Sequence, residues 1–255
     1  MLKIFFSRES TETACGMFTL PHIISLTLCL ILIGVCVYFS KNFSARIEKR
    51  IIKILAFTFT VMEIIKIIYK IYWGYTEYLD YYLPISFCSL FIPSLWLCGY
   101  GKGLSYRIGY CFIRYGCLVG GLAFLIVPAT SLMMHPIYHY LSIHSMLFHS
   151  AMVYLGVIFL MRKEKFSIKS AFLTYISFVL SACCAAIILN LITGSNLMLL
   201  AFPLNIPVKV VNTVAASLPA VYTLCAVAVY TLFTFGVSFG LRWLIDKIIK
   251  KASVN

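Results

Sequence analysis

Long apolar runs separated by short polar segments follow one another along almost the whole sequence. Each run is close to the roughly 20 apolar residues that a helix needs to cross the hydrocarbon core of a bilayer. The seven runs lie at residues 18–39, 51–72, 81–98, 110–132, 141–161, 172–193 and 216–241. This pattern predicts an all-α polytopic membrane protein with seven transmembrane helices.

Basic residues are distributed unequally between the two ends of the predicted helices. Sixteen of the 21 lysines and arginines form four clusters, which lie at every second boundary between runs. Cytoplasmic loops carry an excess of lysine and arginine, so we predict that the amino terminus is outside and the carboxy terminus is cytoplasmic. The clusters are Lys41/Arg46/Lys49/Arg50/Lys53, Lys102/Arg107/Arg114, Arg162/Lys163/Lys165/Lys169 and Arg242/Lys247/Lys250/Lys251.

Residues 194–214 are apolar enough to suggest an eighth crossing, but Pro203 and Pro207 interrupt them. An eighth crossing would also place the basic carboxy-terminal segment outside. We therefore predict a re-entrant or interfacial cap on the outer face. Because the loops are short and no internal repeat is visible, residues 1–255 are predicted to form a single seven-helix transmembrane domain.

Composition excludes a soluble protein, since 62% of the residues are hydrophobic, 11% are charged and the mean hydropathy is +0.97. The net charge of +13 does not indicate nucleic-acid binding, because the basic residues lie in short clusters between apolar runs. The first run is too long for the core of a secretory signal and lacks a cleavage pattern, so it is predicted to be a span. The ten cysteines lie mostly inside apolar runs, and we expect neither disulfides nor a metal or other cofactor.

Several polar residues fall at one depth in the outer half of the predicted bundle. Cys88 lies seven residues inside the outer end of the third helix, or roughly 10 Å at 1.5 Å per residue. His149 lies eight residues inside the fifth helix, and Glu63 lies nine residues from the outer end of the second. Asn190 and His22 approach the same face. Polar groups in hydrocarbon are costly, so this clustering predicts a functional site.

Each of these residues also has a structural interpretation. Cys88 could pack as a small hydrophobe, and His149 could be a hydrogen-bonded structural histidine. Glu63 could simply be neutralised by Lys66 three residues later, and Asn190 could join helices. His22 lies near the interface, where a headgroup or loop contact is the default. A thiol and an imidazole at matched depth favour catalysis, because histidine can take the proton of a cysteine nucleophile.

Three motifs resemble those of a known family, the YwaF-type bacterial membrane proteins related to the animal acyltransferase called transmembrane protein 164. They are Leu83-Pro84-x-x-x-Cys88, then Pro128 followed by Phe148-His149, then Asn190 followed by Asn196-Leu197-Met198 and Pro203. The resemblance implies that Cys88 and His149 move fatty acyl chains between phospholipids through an acyl-enzyme. Ser86 and Asn196 lie within these motifs and are candidates for supporting or substrate-binding roles, with Asn190, Glu63 and His22.

The leading hypothesis is therefore a lipid acyltransferase of a bacterial cell membrane, with its site towards the outer leaflet. Its partners would be membrane phospholipids and lysophospholipids, and Asn190 could donate a hydrogen bond to the tetrahedral oxyanion. Related membrane hydrolases make lipid ester hydrolysis a close competitor. A small-solute transporter or receptor that uses Glu63, Lys66, Asn190 and His22, or a purely structural membrane protein, are the other interpretations. Pro84 is expected to kink the third helix above Cys88.

Overall fold

The computed structural model describes residues 5–6, 14–203 and 209–252, and the regular secondary structure in this part of the chain is entirely helical. Short 3₁₀ turns cover Cys88–Leu90 and Leu197–Leu199, and a π-helical segment covers Val229–Phe233. The helices are α1 (Leu20–Ser40), α2 (Ala45–Tyr72), α3 (Leu79–Tyr82), α4 (Phe91–Tyr100), α5 (Gly103–Tyr115), α6 (Cys117–Ile126), α7 (Tyr140–Met161), α8 (Ile168–Thr193), α9 (Lys209–Ser217), α10 (Pro219–Ala228) and α11 (Thr234–Ala252).

Four helical stretches within the described residues are long and apolar enough to cross a membrane, namely Leu20–Ser40, Tyr140–Met161, Ile168–Thr193 and Pro219–Ile248. Helices α5 and α6 make a fifth if they are one span, and they meet at Gly116 with a bend of 41°. These stretches correspond to five of the seven predicted runs. They confirm an all-helical, multi-span fold, whereas the count of seven and the orientation of the two ends stay predictions.

The predicted run 51–72 is continuous helix, but it differs in charge from the four spans above. It belongs to α2, which is 28 residues long and begins at a Ser44 cap whose hydroxyl accepts the N–H of Ile47 at 3.5 Å. Its apolar part contains Glu63, Lys66 and Lys70, so α2 is less apolar than those spans.

The predicted run 81–98 is broken rather than kinked. Helix α3 ends at Tyr82, residues 83–87 are not helical, and helix resumes at Cys88. The cause is Pro84, because a proline disfavours helical angles in the residue before it, and Leu83 has an extended ψ of 136°. The Ser86 hydroxyl then accepts the N–H of Ser89 at 3.2 Å and so caps the new helix. Cys88 therefore lies in the first turn of a helix.

Helix α7 lies at the centre of the described bundle. Of its most apolar 18-residue window, 67% is buried, against 11% for α1 at the periphery. Arginines satisfy carbonyls at its C-terminal end: Arg242 Nη1 donates to Leu160 at 2.7 Å and to Met161 at 3.1 Å, and the buried Arg114 donates to Phe159. Two basic residues of the clusters that predicted the topology thus also cap a helix whose last carbonyls have no partner within it.

Residues 194–203, the first part of the predicted cap, form a loop that follows α8 in the sequence and contacts both α3 and α10. Gly194 ends α8 with a φ of 68°, a left-handed conformation that glycine adopts without penalty. Ser195 Oγ accepts the N–H of Leu79 at 2.9 Å, and the Tyr222 hydroxyl donates to the Leu199 carbonyl at 2.8 Å. Residues 204–208 of the cap, Pro207 among them, lie outside the described residues.

Candidate functional site

Cys88 is half-buried at the start of the resumed helix and faces the backbone of α6. Its Sγ lies 3.9 Å from the Gly120 carbonyl. The neighbouring Phe87 is buried and stacks on Tyr230 with ring centroids 4.9 Å apart. Gly120 permits this approach, because a Cβ there would lie only 2.8 Å from the Phe87 ring. Cys88 is therefore held between α6 and the π-helical segment.

His149 is buried on α7, and its contacts define which ring nitrogen carries the proton. Nδ1 lies 2.7 Å from the Ser145 carbonyl, and the ring stacks on Phe124 with centroids 3.6 Å apart. A carbonyl can only accept, so Nδ1 must be the protonated nitrogen of the neutral ring. Nε2 is then an open acceptor, since no described residue forms a hydrogen bond with it. This is the form that a general base requires.

Cys88 and His149 both contact helix α6. Gly120, which faces the thiol, and Phe124, which carries the His149 ring, are four residues apart and so lie one turn apart on the same face. Within the described residues no hydrogen bond joins Cys88 Sγ to His149 Nε2. Proton transfer therefore needs rotation of the thiol or one bridging water.

The two asparagines hold the loop that borders Cys88. Asn190 accepts the N–H of Leu197 at 2.7 Å and donates to the Leu197 carbonyl at 3.1 Å. The Asn196 N–H donates to Asp80 at 2.9 Å, and the Met198 N–H donates to the Ile85 carbonyl at 3.1 Å. The Asn190 amide, which we expected to face an oxyanion, is thus bonded to this loop. Both asparagines act on the segment before Cys88 through backbone contacts.

Glu63 belongs to a second, separate polar cluster. It pairs with Lys66 on its own helix, and its Oε2 lies 3.4 Å from His144 Nε2 on α7. Glu63 and His144 are both buried, so the three groups compensate one another inside the bundle. The Phe148 ring lies between the two histidines in contact with both, with its centroid 5.8 Å from that of His144 and 5.3 Å from that of His149.

His22 and Ser86 have local partners. His22 Nδ1 accepts the Phe18 N–H at 3.0 Å, and Nε2 lies 3.0 Å from the Leu125 carbonyl, so both ring nitrogens bind backbone. The contact with Leu125 fixes α1 against the end of α6. Ser86 is exposed, and its hydroxyl also contacts that of Ser89 at 2.7 Å.

Sequence reasoning missed three residues of the site. Phe124 and Tyr230 are apolar-run aromatics with nothing in the sequence to distinguish them from lipid-facing ones. Asp80 was visible only as an acidic residue at a predicted boundary, although the carboxylate binds the N–H of Asn196. No group of three histidine, cysteine or acidic side chains among the described residues could hold a metal ion.

Comparison with known proteins supplies the family. A sequence model of the TMEM164 family matches residues 17–239. The chain belongs to the TMEM164 family. Cys88, His149, both asparagines and α6 all lie within the matched range, and TMEM164 membership fits the multi-span membrane fold. A search of curated proteins and a search of solved structures each found no match.

Proposed function

We propose that the chain is a membrane-embedded lipid acyltransferase that moves a fatty acyl chain between phospholipids, with Cys88 as nucleophile and His149 as base. The observation that carries the proposal is the arrangement on α6. The thiol faces Gly120, the imidazole stacks one turn away on Phe124, and the Ser145 carbonyl leaves Nε2 as the proton acceptor.

In the first half-reaction the Cys88 thiol gives its proton to His149 Nε2 as the sulfur attacks the ester carbonyl of a donor phospholipid. The ester C–O bond then breaks, and the imidazolium returns the proton to the departing lysophospholipid oxygen. An acyl group remains on Cys88 as a thioester. Proton removal must accompany attack, because apolar surroundings disfavour a free thiolate.

In the second half-reaction the hydroxyl of an acceptor lysophospholipid gives its proton to His149 and attacks the thioester. The C–S bond breaks, and the sulfur regains the proton. Water in place of the acceptor would make the protein a lipid ester hydrolase. We place the site towards the outer leaflet of a bacterial cell membrane, where the donor is another membrane lipid rather than cytosolic acyl-CoA.

Asn190 and Asn196 are proposed to support the reaction by positioning. They hold the loop whose Met198 N–H binds the Ile85 carbonyl, three residues before the nucleophile. Ser86 is exposed beside Cys88, so a lipid headgroup can reach its hydroxyl by competing with the contacts to Ser89. Glu63 is assigned to the separate cluster with Lys66 and His144, and His22 to anchoring α1.

The test is acyl transfer by the purified full chain in vesicles that contain an acyl-labelled phospholipid and an unlabelled lysophospholipid. We expect Cys88→Ala and His149→Gln each to lower transfer by about a hundredfold or more, the scale of general acid–base catalysis. Cys184→Ala, which changes an exposed cysteine on α8, is the matched control and should retain activity. Label released as free fatty acid without acceptor would identify a hydrolase. Turnover by Cys88→Ala and His149→Gln equal to that of the parent chain and of Cys184→Ala would refute the proposal.

The buried cluster of Glu63, Lys66 and His144 favours a second candidate, a small-solute transporter or receptor, because charges inside a bundle often mark a solute site. His22 and Asn190, which that hypothesis also used, bind backbone elsewhere. Solute uptake that survives Cys88→Ser but fails in Glu63→Gln would favour this function over the enzyme.

A further inference from the structure

A small cleft with both polar and apolar lining lies where α5 and α8 begin, at the end of the bundle that the sequence places in the cytoplasm. It has a volume of about 270 Å³. Arg107 reaches it from α5, and α8 contributes its first turns. The lining residues are Arg107, Ser167, Lys169, Ser170, Leu173 and Thr174. Neither Cys88 nor His149 lines the cleft.

The cleft carries positive charge that no acidic side chain balances. Arg107 Nη1 donates to Ser170 Oγ at 2.9 Å, which holds the guanidinium in place. The Nε of Arg107 is buried, yet it has no hydrogen-bond partner among the described residues. Neither Arg107 nor Lys169 forms an ion pair within the described part of the chain. The nearby Glu164 is engaged by Arg114 and Tyr115.

The charges of Arg107 and Lys169 have no counter-ion among the described residues, and an anionic ligand in the cleft would supply one. Arginine, lysine and hydroxyl side chains are the groups that bind phosphate oxygens. The amino-terminal end of α8 adds partial positive charge to theirs. The ligand chemistry that suits the cleft is therefore a phosphate group.

The apolar side of the cleft favours a phospholipid over a free phosphate ion as the ligand. Leu173 lines it one turn further along α8 and is 53% exposed, on a helix that has the length and composition of a membrane span. We propose that this cleft binds the headgroup phosphate of an anionic phospholipid on that side of the membrane, with its acyl chain along α8 at Leu173. Juxtamembrane basic groups recognise anionic lipids in this way.

The experiment measures phosphatidylglycerol binding to the purified full chain in phosphatidylcholine nanodiscs, by native mass spectrometry. We expect Arg107→Gln and Lys169→Gln each to weaken binding at least about tenfold, the value of a hydrogen bond to a charged group. The Lys169 side chain is exposed and forms no hydrogen bond with the described residues, so we expect Lys169→Gln to retain the fold even if Arg107→Gln does not. Lys102→Gln, an exposed lysine at the same end outside the cleft, should bind as the parent chain does.

Two results would overturn the proposal. Unchanged binding by Lys169→Gln, or an equal loss in Lys102→Gln, would mean that the surface attracts lipid through its overall charge. The same binding measurement is repeated with inorganic phosphate. If phosphate binds with the same dependence on Lys169 and phosphatidylglycerol binds no better than phosphatidylcholine, the cleft is a free-phosphate site. If the chain prefers phosphatidylglycerol to phosphatidylcholine and inorganic phosphate displaces the bound phosphatidylglycerol only weakly, the ligand is the lipid.

Discussion

His135, in the loop between α6 and α7, has surroundings that disfavour its charged form. Its ring is buried and stacks on His139 with centroids 4.2 Å apart. Burial, followed by the nearby His139 and Lys70, lowers the pKa of His135 to about 4. The folded chain therefore resists a proton that the unfolded chain binds near the ordinary histidine pKa of about 6.5.

This difference predicts acid sensitivity. Above pH 6.5 neither state protonates His135, so stability is greatest there, and it falls as the pH drops from 6.5 towards 4. We expect His135→Gln to reduce the slope of melting temperature against pH in this window. Met134→Gln, an exposed neutral residue in the same loop, should keep the parent slope. A parent slope retained by His135→Gln would contradict the prediction.

For single residues, the sequence predicts how deep a side chain lies in the membrane but not which way it points from its helix. Counting residues from predicted boundaries put Cys88 and His149 on one level, but the rotation of each helix depends on tertiary contacts. The Ser145 carbonyl and the Phe124 ring, which orient His149, are chemically ordinary at the sequence level. Asn190 illustrates the same limit, since its partner is a backbone loop seven residues later rather than another helix.

Among the elements, α6 and α7 pack closely enough that small residues are required between them. At Gly121 an added Cβ would lie 2.7 Å from Val153 Cγ2 and 2.9 Å from the His149 carbonyl oxygen. The second contact is with backbone, so a side-chain rotation cannot relieve it. The pattern of Gly116, Gly120 and Gly121 is typical of closely packed membrane helices, but the pattern alone does not identify the partner helix.

We expect Gly121→Ala to destabilise the fold by about 1–3 kcal/mol, the usual cost of overpacking a core. The added methyl group should also push the His149 backbone away from α6 and so lower acyl transfer. Gly34→Ala on α1 is the matched control, because nothing lies within 4 Å of a Cβ there and alanine favours helix. Thermal unfolding in detergent is the measurement. Equal melting temperatures of the two variants would argue against this packing.

Apolar periodicity predicted most elements, and proline chemistry explains the main exception. The long runs at 18–39, 141–161 and 172–193 correspond to α1, α7 and α8 nearly residue for residue. Pro84 was expected to bend a helix, whereas the chain leaves helical conformation for five residues around it. A bend and a break have the same sequence signature. Here the Met198 N–H, from a loop more than a hundred residues away, binds the Ile85 carbonyl in the break.

For the whole molecule, the number of crossings depends on α2 and on the broken element α3–α4. Both were predicted to cross the membrane, yet α2 is charged and the broken element is short. Two crossings change the side of the intervening turn but not the side of either terminus. Reporters at the termini therefore cannot separate five crossings from seven. A reporter in the turn itself can.

Gly74 is the position for that reporter. It has a φ of 78° at the turn after α2, and no atom lies within 4 Å of a Cβ there, so an inserted epitope meets open space. If α2 and α3–α4 both cross, antibody should bind the epitope after Gly74 in intact cells. An epitope after Lys163, between α7 and α8, should be detected only after permeabilisation, since that cluster is predicted to be cytoplasmic. Detection of both epitopes only after permeabilisation would remove this pair of crossings and, with them, the assignment of Cys88 to the outer leaflet.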